Sequence, residues 1–212
     1  MTAYLFDLDG TLADTLPFIL LSSHLALKEL GREASDEQII ALIGVPLLET
    51  GEILIGPGCG ELYRECYHKH FISLNIGNIS AFAGLAGLLA KLKAGGGKLA
   101  CVTSKRLQPA EGTLLQIGLL DYFPVLVGAE STAQHKPDPA PAFKALELLE
   151  AQGEKAIFIG DSIFDIGCAQ NAGLLSCGVT WGAGEKGQLI AAGADFVAHT
   201  AEELTAILVA EL

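Results

Sequence analysis

The stretch Ala3-Tyr-Leu-Phe-Asp-Leu-Asp-Gly-Thr-Leu12 joins an apolar segment to two carboxylates and a glycine. Its first residues favour a buried β-strand, and Gly10 favours a turn directly after that strand. Because alternate side chains of a strand point to one face, Asp7 and Asp9 are expected to emerge together where the strand ends. Neighbouring carboxylates disfavour each other's ionised form unless a cation lies between them, so a divalent metal is the simplest explanation. Taken alone, the pattern fits a polar strand end that caps the next turn equally well.

Similar apolar runs recur along the chain and alternate with helical patterns. Strands are predicted at residues 3–8, 98–103, 124–128, 156–160, 175–180 and, as a short edge strand, 195–198. Helices are predicted between them at 83–94, 107–117, 139–151, 164–172, 185–192 and 201–210. The strands lack polar alternation, which is typical of strands buried on both faces of a parallel sheet. The sequence therefore predicts an α/β fold with a doubly wound, Rossmann-like parallel sheet, in which ligands bind beyond the carboxyl ends of the strands.

Residues 14–81 interrupt this alternation with helical patterns alone. Helices are predicted at 16–30, 36–43 and 60–74, and Ser35 is a suitable N-cap for the second of them. We interpret residues 14–81 as a helical insertion, and residues 1–13 together with 82–212 as the α/β core.

Composition argues against several classes of partner. The chain has 212 residues with 50% hydrophobic content, enough for a sizeable core, and its formal net charge of −12 argues against nucleic acid or an anionic membrane as partner. The five cysteines form no Cys-x-x-Cys pair, so neither a disulfide framework nor a zinc knuckle is indicated. We find no signal-peptide pattern and no apolar run of the ~20 residues that a membrane helix needs, so a cytoplasmic location is expected. The oligomeric state is left open.

Three later segments place further polar groups at predicted strand ends. Residues 98–105 end in two hydroxyls and a lysine, residues 135–140 carry a lysine on a proline-rich loop, and residues 155–165 end in acids. In this order, the segments resemble the four motifs of the haloacid dehalogenase-like superfamily of aspartyl-phosphate phosphohydrolases. Asp7-Leu-Asp9-Gly-Thr11 matches the first motif, Thr103 the second, Lys136 the third, and Gly160-Asp161-x-x-x-Asp165 the fourth.

The insertion at residues 14–81 directly follows the first motif, and this position resembles that of the helical cap in members of the superfamily. The resemblance therefore implies that residues 14–81 form a cap, with loops near 14–17 and 80–84 as hinges that let the cap open and close.

The resemblance implies a role for each matched residue. Asp7 would be the nucleophile that forms an aspartyl-phosphate, and Asp9 the general acid and base, with its backbone carbonyl as a metal ligand. Thr103 and Lys136 would bind the transferring phosphoryl oxygens. Taken singly, Thr103 also fits an ordinary strand residue, and Lys136 also fits a solvated loop lysine.

The remaining candidates would complete the metal and substrate sites. A Mg²⁺ ion would be bound by Asp7, Asp9, Asp161 and Asp165, and substrate by Gly10, Ser104 and Lys105. Asp165 also fits a first-turn acid that the helix dipole favours, and Lys105 a surface lysine. The cap histidines His24, His68 and His70 are possible substrate contacts, although surface and packing roles are more common.

The same residues separate some of the superfamily's activities. Hydrolytic dehalogenases lack the second carboxylate of the first motif, whereas Asp9 is present here. The cap loop at residues 43–48 has no cation, which argues against a mutase that resembles β-phosphoglucomutase. The resemblance thus implies a Mg²⁺-dependent phosphatase that acts on a small organic phosphate monoester similar to phosphoglycolate. The alternatives are an inorganic pyrophosphatase, a sugar-phosphate phosphatase or mutase of the same fold, and a non-catalytic module that binds a phosphorylated metabolite.

Overall fold

The computed structural model describes residues 2–75 and 77–211, and a six-stranded parallel sheet lies at its centre. The strands are β1 (Thr2–Phe6), β2 (Lys98–Val102), β3 (Val125–Val127), β4 (Lys155–Gly160), β5 (Leu175–Val179) and β6 (Phe196–Ala198). Their order across the sheet is β3-β2-β1-β4-β5-β6, and every neighbouring pair is parallel. The predicted doubly wound α/β fold is therefore confirmed, with β6 at one edge.

Residues 14–81 contain four α-helices in the part of the chain that the structure describes. They are α1 (Leu16–Glu29), α2 (Asp36–Ile40), α3 (Leu47–Leu54) and α4 (Gly60–Asn75), and α4 packs against both α1 and α3. Ser35 caps α2 as expected, because its hydroxyl accepts a hydrogen bond from the Gln38 N–H.

Helix α3 was not predicted, because Gly51 lowers the helix propensity of its sequence. The structure shows why a glycine is needed there. A Cβ atom on Gly51 would lie 2.7 Å from Cβ of Tyr63 and 2.8 Å from Cα of Gly60, both in α4. The close approach of two helices, rather than a break in one of them, accounts for this residue.

Six further helices cover the sheet. They are α5 (Leu85–Ala94), α6 (Leu107–Gln116), α7 (Ala140–Leu148), α8 (Ile163–Asn171), α9 (Lys186–Ala191) and α10 (Ala201–Glu211). Within β1, Ala3 and Leu5 belong to one hydrophobic cluster, and Tyr4 and Phe6 to another, so the strand is buried on both faces. None of the helices in the described ranges is long and apolar enough to cross a bilayer.

The two chain segments that connect the inserted helices to the sheet run side by side. The Asp14 N–H donates to the Ser80 carbonyl at 2.9 Å, and the Phe82 N–H donates to the Leu12 carbonyl at 3.2 Å. Ala13 and Ala81 form an antiparallel bridge between these two contacts. The inserted helices are therefore joined to the sheet through a short paired ribbon.

Candidate active site

Asp7 follows β1 directly and lies near the middle of the sheet edge. Its N–H donates to the Ile159 carbonyl of β4 at 2.8 Å, which continues the pairing of the two strands by one residue. The residue is only 4% exposed. Burial raises the pKa of Asp7 to about 7, an effect that Lys136 opposes and Asp165 reinforces. A second cation near this carboxylate would favour its ionised form.

Lys136 projects from the loop before α7 into the same buried space. Its Nζ donates to Oδ1 of Asp7 at 2.8 Å and to Oδ1 of Asp165 at 2.5 Å. Burial alone would lower the pKa of this lysine, but the charges of Asp165 and Asp7 outweigh burial and raise it. Lys136 is therefore a buried, charged lysine and not a solvated loop residue.

Asp165 lies in the first turn of α8 and serves two purposes. Its Oδ2 accepts hydrogen bonds from the N–H of Ser162 at 3.0 Å and from the Ser162 hydroxyl at 2.6 Å, which caps the helix. Its Oδ1 accepts the hydrogen bond from Lys136. Gly160 makes room for this carboxylate, because a Cβ at that position would lie 2.3 Å from Cγ of Asp165.

Asp161 follows β4 and has no solvent exposure. Its Oδ1 accepts a hydrogen bond from the Thr11 hydroxyl at 3.3 Å, and its Oδ2 accepts one from the Ala183 N–H at 2.7 Å. Burial raises its pKa well above the ordinary value, and the charges of Asp7 and Asp165 add to the effect. Neither Thr11 nor Ala183 was a predicted site residue. The Gly-Ala-Gly sequence at 182–184 after β5 was the available signal, because glycines there permit a close backbone approach.

Gly10 shapes the turn beside Asp161. Its φ is +80°, and a Cβ on this residue would lie 2.1 Å from Oδ2 of Asp161, so only glycine fits. Its N–H donates to the Ala13 carbonyl at 2.9 Å, so the turn itself uses that donor in this conformation.

Asp7, Asp161 and Asp165 form a buried carboxylate cluster. One oxygen from each lies within 4.8 Å of the others. Lys136 supplies a single positive charge against these three acids. Burial is the main cause of the raised pKa values of Asp7 and Asp161, and the neighbouring carboxylates add to it. Oxygen donors held in this way suit a hard divalent cation, so the cluster could bind a metal ion.

Thr103 and Ser104 lie just beyond β2, on the other side of Asp7. The Thr103 N–H donates to the Val127 carbonyl of β3 at 2.9 Å, and its hydroxyl oxygen accepts from the Lys105 N–H at 3.1 Å. The hydroxyl hydrogen of Thr103 therefore remains as a donor. The Ser104 hydroxyl donates to the Gly44 carbonyl in the loop before α3, which connects the second motif to the inserted helices.

Asp9 has a different partner from Asp7. Because β1 ends at Phe6, Asp9 lies in the turn region beyond the strand, whereas Asp7 still continues the pairing with β4. Oδ1 of Asp9 accepts a hydrogen bond from Lys105 at 2.6 Å. The Lys105 side chain is only 10% exposed, so it lies in the cleft and not on the surface.

Comparison with known proteins agrees with this arrangement. The sequence model of the family described as haloacid dehalogenase-like hydrolase matches residues 4–179. The chain belongs to this family. A phosphoglycolate phosphatase of Cupriavidus necator is 36% identical over 215 residues, which cover 98% of this chain and 93% of that protein. The pyrophosphatase PpaX of Listeria welshimeri is 32% identical over 210 residues, which cover 98% and 96% of the two chains.

The same fold occurs in solved structures. A hydrolase from Pseudomonas syringae superposes with a TM-score of 0.88 at 26% identity, with 98% of both chains covered. The family and the named relatives together make this chain a phosphatase.

In this hydrolase, the predicted histidines of the inserted helices differ in position. His24 pairs with Asp36 at 2.6 Å, and His70 pairs with Glu29 at 2.9 Å, so both are used within the helical segment. His68 lies near Lys105, a cation of the cleft. Burial and the charges of nearby cations, including Lys105, lower its pKa.

Proposed function

We propose that this chain is a Mg²⁺-dependent phosphatase that hydrolyses a small organic phosphate monoester of the phosphoglycolate type through an aspartyl-phosphate on Asp7. The observation that carries the proposal is the buried Asp7 carboxylate, with Oδ1 held by Lys136 at 2.8 Å beside a cluster of two further acids. A fixed carboxylate at the carboxyl end of a central parallel strand has the position that a nucleophile requires.

The first step transfers the phosphoryl group to the enzyme. Oδ2 of Asp7 attacks phosphorus, the bond between phosphorus and the leaving oxygen breaks, and Asp9 donates a proton to that oxygen. In the second step, Asp9 takes a proton from water, and the water oxygen attacks phosphorus. The bond between phosphorus and Asp7 then breaks, which releases inorganic phosphate, restores the Asp7 carboxylate and leaves Asp9 protonated for the next cycle.

Two core residues would hold the phosphoryl oxygens during both steps. The Thr103 hydroxyl hydrogen is available as a donor, because the hydroxyl oxygen already accepts from the Lys105 N–H. Lys136 is buried and charged, so its field acts on the developing negative charge with little screening by water. The backbone N–H of Ser104, the residue after Thr103, would be a further donor to these oxygens.

A metal ion fits the donor set. Asp7, Asp161 and the backbone carbonyl of Asp9 would bind it, with Asp165 at the edge of the site, where it also holds Lys136. Bound Mg²⁺ would neutralise the clustered carboxylates and withdraw charge from the phosphoryl oxygens. Asp161 is already oriented for this role by hydrogen bonds from Thr11 and Ala183.

We further propose that residues 14–81 act as a cap over the core formed by 1–13 and 82–212. The paired segments around Ala13 and Ala81 would be the hinge. Contacts from the cap to the core, such as that between Ser104 and Gly44, would exclude water while the phosphoryl group is transferred.

The relatives' names support two substrates, phosphoglycolate and pyrophosphate. The experiment that tests the proposal measures phosphate release from phosphoglycolate, pyrophosphate and a hexose phosphate, with Mg²⁺ and after exhaustive chelation. We expect the highest kcat/KM for phosphoglycolate and loss of turnover after chelation. A tenfold preference for pyrophosphate would favour the second activity, whereas binding without turnover of any ester would favour a non-catalytic module.

A further inference from the structure

Lys105 occupies a position that the proposed mechanism does not use. Its Nζ lies 2.6 Å from Oδ1 of Asp9 and 4.8 Å from the ring centroid of Phe71 in α4. Lys105 therefore contacts both Asp9 in the core and Phe71 on the face of the inserted helix α4. Lys136 is already bound to Asp7 and Asp165, so Lys105 is a separate source of positive charge in the cleft.

Lys105 is one of three cations around His68, although the chain as a whole carries a formal net charge of −12. Burial has the largest effect on the pKa of His68, and the charges of Arg64, Lys105 and Arg106 lower that pKa further. Arg64 pairs with Glu61, and Arg106 with Glu130 at 3.5 Å, on the outer side of this region. Lys105 is paired with Asp9, whose charge acts on the carboxyl group of Asp7.

The position of Asp9 determines what Lys105 can reach. If Asp9 gives its proton to the leaving oxygen, that oxygen must come within hydrogen-bond distance of the Asp9 carboxylate. The rest of the leaving group, which is bonded to that oxygen, then extends towards the Lys105 ammonium group. On the far side, the stacked rings of Tyr67 and Phe71, with centroids 5.5 Å apart, line the α4 face and are 4% and 6% exposed.

We propose that Lys105 selects the substrate class by binding a second anionic group of the substrate, either a carboxylate or a phosphate. The substrate is then a short phosphate ester or anhydride that carries this group within a few bonds of the scissile oxygen. This inference rests on the proposed function, because it uses Asp9 as the acid for the leaving group. A short diacid would place its second charge at Lys105 while its phosphoryl group lies between Asp7 and Thr103. A neutral or bulky leaving group would leave the ammonium group without a substrate partner, next to two apolar rings.

The test compares phosphoglycolate with ethylene glycol monophosphate, which has a similar length and a neutral hydroxyl in place of the carboxylate. Wild type should prefer phosphoglycolate in kcat/KM, and Lys105→Met should reduce this preference about tenfold or more, as expected for a lost charge-assisted hydrogen bond. Lys105→Arg should keep part of the preference. Lys144→Met is the matched control, because Lys144 forms a surface pair with Glu147 on α7 and should leave the ratio unchanged.

The ratio of the kcat/KM values for the two substrates shows whether Lys105 binds the second anionic group or only positions Asp9. If Lys105→Met lowers kcat/KM equally for both esters, Lys105 acts only on Asp9 and the inference is overturned. A wild-type enzyme that hydrolyses both esters equally well would also overturn it, while the proposed phosphatase function would stand. Pyrophosphate is the second substrate to compare with ethylene glycol monophosphate. If Lys105→Met lowers kcat/KM more for pyrophosphate than for ethylene glycol monophosphate, the group that Lys105 binds is a phosphate.

Absence of turnover in wild type with Mg²⁺ would instead reject the proposed function. Calorimetric binding of phosphoglycolate and ethylene glycol monophosphate to wild type and Lys105→Met then decides the inference. Tighter binding of the diacid that disappears in Lys105→Met supports it, and equal binding of the two compounds overturns it.

Discussion

The ammonium group of Lys136 lies 2.8 Å from Oδ1 of Asp7, although 129 residues separate the two in sequence. This contact orients the carboxylate and leaves its second oxygen for the reaction. Because the same lysine also holds Asp165, one cation links the end of β1 to the start of α8.

Replacement of the nucleophile should abolish turnover without unfolding the protein. In Asp7→Asn, the amide cannot form the acyl phosphate, so kcat should fall by at least about a thousandfold. Phosphate release and the Tm measure the two effects. Asp121→Asn, at an exposed site, is the control. Activity within about tenfold of wild type would reject Asp7 as the nucleophile.

Asp9→Asn should remove the general acid and base while leaving the nucleophile in place. We expect a loss of about 10² to 10⁴ in kcat. The loss should be smaller for an aryl phosphate, whose leaving group needs no proton. Rates measured across the pH range with phosphoglycolate and with an aryl phosphate test this role. A pH profile of Asp9→Asn identical to that of wild type would contradict it.

Mg²⁺ should stabilise the folded protein as well as permit turnover. A ligand that binds only the native state adds about 2.7 kcal/mol at a hundredfold excess over its Kd. Asp161→Asn should reduce both the rise in Tm and the rate. Ca²⁺ should raise the Tm but support little turnover, because its coordination is larger and less regular. Full activity after exhaustive chelation would contradict the metal site.

The stability of the metal-free protein should depend on pH in a defined direction. The pKa of Asp7 is raised from 3.8 to about 7, and that of Asp161 is raised as well. At pH values between 3.8 and about 7, the folded state therefore binds more protons than the unfolded state. The free energy of unfolding should decrease as the pH rises through this range.

Denaturant titrations with a chelator near pH 5 and pH 8 measure this difference, which should be at least about 1 kcal/mol in favour of the lower pH. Excess Mg²⁺ should reduce the difference, because it favours the ionised carboxylates. Asp7→Asn should also reduce it. Greater stability of the metal-free protein at pH 8 than at pH 5 would contradict the raised pKa values of Asp7 and Asp161.

Gly10→Ala should impair the metal site more than it impairs the fold. The added Cβ would meet Oδ2 of Asp161 at 2.1 Å, so either the turn or the carboxylate must move. Gly31→Ala is a matched control, because Gly31 has a similar φ of +68° with nothing within 4 Å of its Cβ position. Both variants carry the backbone cost of roughly 1 kcal/mol. Only Gly10→Ala should lose the Tm increase on addition of Mg²⁺, and an equal response in both variants would contradict this account.

The sequence by itself determined the parallel sheet and most of the candidate site. Unbroken apolar runs such as 156–160 can be buried only between two layers of helices, and parallel strands bring their carboxyl ends to one edge. Asp7 and Asp161 directly follow such ends, so local sequence was enough to predict that they meet, whereas Lys136 was predicted from the resemblance of its loop to the third motif. The contact between Lys136 and Asp7 agrees with that expectation.

Only the tertiary structure decided which charged groups face each other. Asp165 was open to two interpretations, a metal ligand and a first-turn helix acid. Packing shows the second of them, because one oxygen caps α8, and it adds an unpredicted contact between the other oxygen and Lys136. Lys105 reaches Asp9 and Phe71, whereas His24 and His70 pair with acids of the inserted segment. The physical reason is that these partners come from segments far apart in sequence. Their distances depend on how the inserted helices pack on the sheet, and no local propensity or spacing records that packing.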